Sequence, residues 1–137
     1  MANTLPFKLI TPTSIVFEGP AELVIAVGTD GEEGILPSHA PFLTTLKPGI
    51  LRANVVVGDE RRRLVYATSE GFMQALPDRV TVIVDAAVDA DHVDPTAVRS
   101  ELNDAEARQR GHMPESPEYA REQAIIDFAN ARLTLIQ

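Results

Sequence analysis

VTVIVDAAVDADHVDPTAVRSEL, residues 80–102, is where this chain changes character. At its left end Val80, Val82 and Val84 alternate with Thr81 and Ile83, the two-residue period of a strand. All five are β-branched, so this strand is expected to be buried on both faces. At its right end Asp94 supplies a carboxylate cap and Pro95 a preset backbone angle, the usual start of a helix. Between them lie Asp85, Asp89 and Asp91. With Asp94 they lack the Asp-x-Asp-x-Asp-Gly spacing of a calcium loop, so they read as a solvated linker.

To the left of this boundary the chain is short apolar runs separated by Gly and Pro. Phe7–Ile10 and Ser14–Phe17 flank Thr11-Pro12-Thr13. Leu23–Val27 follows Gly19-Pro20, and Gly34–Leu36 leads into Pro37. Phe42–Leu46 ends at Pro48-Gly49, Ile50–Val57 turns at Gly58-Asp59-Glu60, and Arg63–Thr68 runs back. Phe72–Leu76 ends at Pro77-Asp78. Turn signals at roughly 8–12-residue spacing are the mark of an antiparallel β-sandwich or barrel. Arg61, Arg62 and Arg63 fall on an exposed edge, where charge discourages pairing with another strand; a docking patch is the alternative reading.

To the right the period becomes helical. Val98, Leu102 and Ala105 form one narrow stripe, and Gly111 stops the helix. His112-Met113-Pro114-Glu115 is a loop. Ser116-Pro117-Glu118 repeats the start signal, and Ala124, Phe128, Ala131 and Leu135 form a second stripe. Two helices joined by a short loop make an antiparallel αα-hairpin. Neither helix carries enough large apolar residues to stand alone, so the hairpin must pack on something. The expected organisation is α+β: a β-sandwich over 1–86 and a two-helix hairpin over 91–137.

The 137 residues carry 12 Lys and Arg against 20 Asp and Glu, a net charge of −8, and no Cys. An acidic chain lacks the basic footprint of a nucleic-acid binder and does not favour anionic lipid. Absence of Cys removes disulfides, thiolate metal sites and Cys nucleophiles. The start, MANTLPFKLITPTSIVF, has neither the apolar core nor the cleavage site of a signal peptide. No run approaches the ~20 apolar residues of a membrane span. The expectation is a soluble chain without membrane insertion.

Most chemistry is excluded by what is missing. His39, His92 and His112 are scattered, with no second ligand at metal spacing. There is no Gly-x-Ser-x-Gly elbow and no Walker lysine. A small acid/base hydrolase built on Glu32, Glu33 and His39 has no triad or metal set behind it. No catalytic residue, metal or cofactor is expected. The unusual stretch is Gly28-Thr-Asp-Gly-Glu-Glu-Gly-Ile-Leu-Pro-Ser-His-Ala-Pro-Phe42. Its glycines are spaced like a phosphate loop, but Pro37 and Pro41 forbid the helix such a loop needs. It reads as polar groups on a stiff exposed platform, suited to docking.

This stretch resembles the epsilon subunit of F-type ATP synthases, the counterpart of the mitochondrial delta subunit. The family pattern Gly-x-x-Gly-Glu-x-Gly-Ile-x-Pro-x-His-Ala-Pro is matched by Gly28 to Pro41. Phe17-Glu18-Gly19, Leu43-Thr44-x-Leu46-Lys47-Pro48-Gly49, Ser69-Glu70-Gly71-Phe72 and Val80-Thr81-Val82 continue the likeness in register. Tyr119-Ala120 and Ala129 to Leu133 fit the second helix. The likeness is strong from 7 to 86 and weaker beyond. A generic β-sandwich adaptor with a helical tail is the alternative.

The resemblance implies a sandwich of about ten strands, a C-terminal hairpin and a non-catalytic role. Such a subunit sits in the central stalk, binds the gamma subunit and the polar loops of the membrane c-ring, and rotates with them. A chain of this kind would lie at the cytoplasmic face of a bacterial plasma membrane, held peripherally. By this likeness Glu32 takes the acidic position facing the c-ring loop. His39, with Ser38 beside it, takes the histidine position of the same docking face, and Thr11 takes a hydroxyl position at the stalk interface. In relatives the hairpin extends toward the alpha and beta catalytic subunits and inhibits hydrolysis. Some relatives bind ATP through Ile/Leu-Asp-x-x-Arg-Ala. Here Asp94 is followed by Arg99 two residues late, a rotation of about 200° around a helix, so weak or no ATP binding is expected. The hairpin holds nine acids against five bases, a net of −4, which argues for a weak inhibitor at most.

Overall fold

Strand after strand in this chain buries every second side chain, and that alternation builds one core between two layers. The computed structural model describes residues 3–38 and 40–137. Nine strands occur among them: β1 (Leu5–Thr11), β2 (Ser14–Gly28), β3 (Gly31–Ile35), β4 (Phe42–Leu46), β5 (Gly49–Val57), β6 (Glu60–Thr68), β7 (Gly71–Leu76), β8 (Arg79–Val84) and β9 (Ala87–Val88). Helices α1 (Pro95–Gln109) and α2 (Pro117–Leu135) follow. The hydrogen-bonded order is β1-β8-β7-β4-β2-β5-β6-β9, with β3 on β2 and a further β1–β2 pairing. The pairings are antiparallel except β1 with β8, which run parallel.

The long strand β2 joins the layers. Its first half pairs with β1, from Thr11↔Ser14 to Leu5↔Ala21. Its second half pairs with β5 and β3, and Gly28 reaches Leu46 of β4. Gly19-Pro20 therefore bends a strand rather than separating two, contrary to the sequence expectation. The register slips between Ala21 and Leu23 as the strand passes from one layer to the other. Pro20 faces Pro6 of β1, so two residues that lack a backbone donor oppose each other there.

Phe7 and Leu9 of β1, Val24 of β2, Ile35 of β3, Leu51 and Val55 of β5, Met73 of β7 and Val80, Val82 and Val84 of β8 are all below 2% exposed. Phe7 meets Phe17 with ring centroids 5.7 Å apart. Each such side chain contributes about 1.5–3 kcal/mol on burial. β8 departs from expectation: Thr81 is only half-buried and Ile83 is 46% exposed. One face of β8 lines the core and the other is open.

The hairpin forms where its caps stand. Asp94 accepts from the backbone N–H of Thr96 and Ala97, and Ser116 from that of Tyr119. Gly111 is not left-handed; the positive-φ glycines are Gly31 and Gly58. In α2 the buried positions are Glu122, Ile126 and Ala129 on one face, and Ala131 on the other. The expected stripe of Ala124, Phe128, Ala131 and Leu135 is the opposite face, mostly half-buried. Two faces are needed because α2 packs on α1 and also on β5 and β6. Ala67 of β6 points outward from the sheet yet is fully buried there.

Candidate functional site

The sheet of β1, β8, β7 and β4 sends Met73, Ala75, Val82 and Val84 inward. The alternation therefore sends Leu43, Thr45, Phe72 and Ile83 outward. Cross-strand register sets Thr45 beside Phe72 and Phe72 beside Ile83, with Leu43 beside Gln74. Leu43 is 70% exposed, Phe72 54% and Ile83 46%. Large apolar side chains gathered on one open sheet face mark an interaction surface. Sequence reading missed this face. The signal was present: these residues fall out of phase with the core positions of their own strands.

The expected docking residues are divided by the fold. Thr11 ends β1 next to the end of β8. From there the ladder runs Val84↔Gly71, Gly71↔Leu46 and Leu46↔Gly28. Glu32, paired with Val27, lies close by on the next strand. Thr11 and Glu32 thus share one end of the sandwich. Ser38 lies at the other, because β3 carries the chain from end to end before the loop begins. Glu32 itself sits on a strand, not on the loop. Ser38 is exposed and held at φ 63°, a left-handed conformation uncommon outside glycine. His39 lies outside the described residues.

Thr11 is half-buried and its hydroxyl bonds the backbone oxygen and hydroxyl of Ser14, 3.4 and 3.3 Å away, which closes the β1–β2 turn. Glu32 is tied to Arg52 on β5: Nη2 lies 2.6 Å from Oε2. The guanidinium reaches across β2, where Ile25 pairs with Arg52 and Val27 with Glu32. Arg52 Nε is buried without a hydrogen-bond partner. An exposed ion pair contributes about 0–1 kcal/mol, while an unsatisfied buried donor costs about 1–3. On stability alone this arrangement is no gain.

Two arginines of the basic edge have partners within the chain. Arg61 meets Glu22 at 3.3 Å, and Arg63 Nε donates to Asn54. At the junction with the hairpin, His92 Nδ1 pairs with Asp89 at 2.5 Å. That carboxylate raises the imidazole pKa through its hydrogen bond and charge. Burial pushes the Tyr66 phenol up, with Asp89 adding to the effect and Arg62 opposing it. Asp94 spends its carboxylate on the cap of α1, and Arg99 is exposed. Among the described residues no three acidic or histidine side chains gather to hold a metal ion. No helix among the described residues is long and apolar enough to cross a membrane.

The family model for the beta-sandwich domain of the ATP synthase delta/epsilon chain matches residues 4–90. The chain belongs to the ATP synthase delta/epsilon chain family. The likeness continues through the hairpin. An ATP synthase epsilon chain of Acidithiobacillus ferridurans is 38% identical over 137 residues, covering 100% of this chain and 94% of the relative. One from Magnetococcus marinus is 34% identical, covering 100% and 97%. A chain in the mitochondrial ATP synthase OSCP/F1/c-ring structure of Euglena gracilis superposes with a TM-score of 0.76 at 18% identity, over 98% of this chain and 82% of that one. At that identity the superposition speaks for the fold.

Proposed function

We propose that the chain is a non-catalytic rotor subunit in the central stalk of a proton-translocating F-type ATP synthase, coupling the c-ring to the gamma subunit. The observation that carries this reading is the uncovered apolar face of Leu43, Phe72 and Ile83 in a chain of this family. That face suits the gamma subunit, which must hold under torque over a wide contact. Thr11 and Glu32, polar and at one end of the sandwich, suit the stalk interface and the polar loops of the c-ring. Ser38, at the opposite end, would serve a separate contact. The chain would be peripheral, at the cytoplasmic face of a bacterial plasma membrane.

In this reading 1–86 is the docking domain and 91–137 a regulatory domain that reaches the alpha and beta subunits only when extended. The acidic balance of the hairpin makes it a weak inhibitor. Asp94, occupied as a helix cap, and the displaced Arg99 support weak or absent ATP binding.

Capture of tagged chain from detergent-solubilised membranes tests the proposal. The expected eluate hydrolyses ATP and contains a gamma-like subunit. Phe72→Asp and Ile83→Asp, both on exposed positions, should lose that capture while melting near wild type. Recovery of an unrelated partner, or undiminished capture by both variants, would overturn it.

A further inference from the structure

We infer that Arg52 is a positioning residue: it fixes the Glu32 carboxylate for docking. The inference rests on the proposed docking role of Glu32 and adds a second residue to it. Glu32 stands on β3 at the sandwich end, and its side chain is 57% exposed. A free glutamate there would sample many rotamers, and a partner would have to order it on contact. Arg52 removes that freedom. Its Nη2 donates to Oε2 at 2.6 Å, from a strand two places away in the sheet. The other oxygen, Oε1, has no partner among the described residues. One oxygen is thus anchored, and the other remains free to accept from a donor on the partner.

The rest of the arginine has no separate task. Its Nε is buried and unbonded, so the side chain is held in place by the contact at its tip and by the strand beneath it. A structural arginine would satisfy its donors locally; this one leaves one unpaired and still reaches across β2 to the carboxylate. Arg52 also offsets the charge of Glu32 within the pair.

A double-mutant cycle tests this. Full-length wild type, Arg52→Met, Glu32→Gln and the double variant are titrated against ATP synthase stripped of this subunit, and each free chain is melted. Each single substitution should weaken binding about fivefold, and the double variant no further, because both act on one carboxylate. Arg52→Met should melt at or above the wild-type temperature, since it removes a buried unpaired donor. If the two losses multiply in the double variant, Arg52 acts independently and the inference fails while the docking role of Glu32 stands. If Glu32→Gln binds like wild type, the docking role of Glu32 falls, and the inference with it.

Discussion

Replacing Gly71 by alanine should damage this protein severely, although the change adds one methyl group. Gly71 opens β7 and pairs with Val84 of β8. A Cβ built there lies 1.9 Å from the backbone oxygen of Ile83 and 2.8 Å from both the Ile83 carbonyl carbon and Val84 Cα. All three atoms are main chain, so no side chain can swing aside. Restoring even a tight contact of about 3 Å means moving one strand by roughly 1 Å. That strand is β8, whose Val82 and Val84 are packed in the core at 0% and 1% exposure. Overpacking a core usually costs about 1–3 kcal/mol. Here a ladder hydrogen bond, worth about 1 kcal/mol, is lost as well. The sum is about 2–4 kcal/mol, against a typical total stability of about 5–15. At about 4 °C per kcal/mol for a chain of this size, the melting temperature should fall by roughly 8–16 °C. Gly34→Ala is the control. Its Cβ would meet only Leu23 Cδ1, at 3.8 Å, and a change of about 0.5 kcal/mol or less is expected. Thermal unfolding of both variants, followed by far-ultraviolet circular dichroism, gives the comparison. If Gly71→Ala melts within about 3 °C of wild type, the close approach of β7 and β8 is not as described.

Removal of residues 91–137 should leave ATP hydrolysis by the assembled complex nearly unchanged; strong activation would show the hairpin to be an effective inhibitor. Millimolar ATP should not shift the melting temperature of the free chain, whereas real binding at 100 times Kd would add about 2.7 kcal/mol. His92 sets a pH dependence. Its folded pKa is raised above the ordinary 6.5, so its stabilisation is complete below about pH 6.5 and is lost as pH rises through the folded value. The melting difference between wild type and His92→Gln should therefore be larger at pH 5.5 than at 8.5; an equal difference at both would exclude the Asp89 pairing. Arg132→Ala should loosen the hairpin by about 1–3 kcal/mol, because Arg132 is 12% exposed, bonds Glu101 at 2.6 Å and lies 4.3 Å from the Phe128 ring centre. Faster amide exchange confined to α1 and α2 is the expected readout; unchanged exchange there would count against it.

The parts of the fold legible in the sequence are those decided by local chemistry. Asp94-Pro95 and Ser116-Pro117 start helices because a side-chain acceptor and a preset φ act within one turn. Gly58-Asp59 turns the β5–β6 hairpin because Gly58 adopts φ 62° without penalty. The parts that were not legible are decided by partners distant in sequence. Gly19-Pro20 looks like a break, and only the handover of β2 from β1 to β5 shows why the strand continues. In α2 the sequence shows one of two stripes, since a helix that packs on two sides carries a second apolar face, here interrupted by Glu122.

The candidate site was obscured by the same rule that revealed the core. Val80–Val84 reads as a strand buried twice over because both of its faces are apolar, yet only one meets the core. The second face, with Ile83 beside Phe72, is apolar beyond what the sandwich itself can use. In an isolated domain that excess is a liability for solubility. In a chain that carries −8 overall, the excess is tolerable, and in an assembly it becomes contact area. The polar residues proposed for docking needed the resemblance, because a glutamate on a strand is ordinary by composition. What distinguishes Glu32 is Arg52, twenty positions along the chain, and no local pattern joins the two. Their pairing exists only once β3, β2 and β5 lie side by side. An apolar strand face in excess of the core is therefore the signal in this sequence that supports the proposed partner contact, and the Glu32–Arg52 pair comes into view only with the fold.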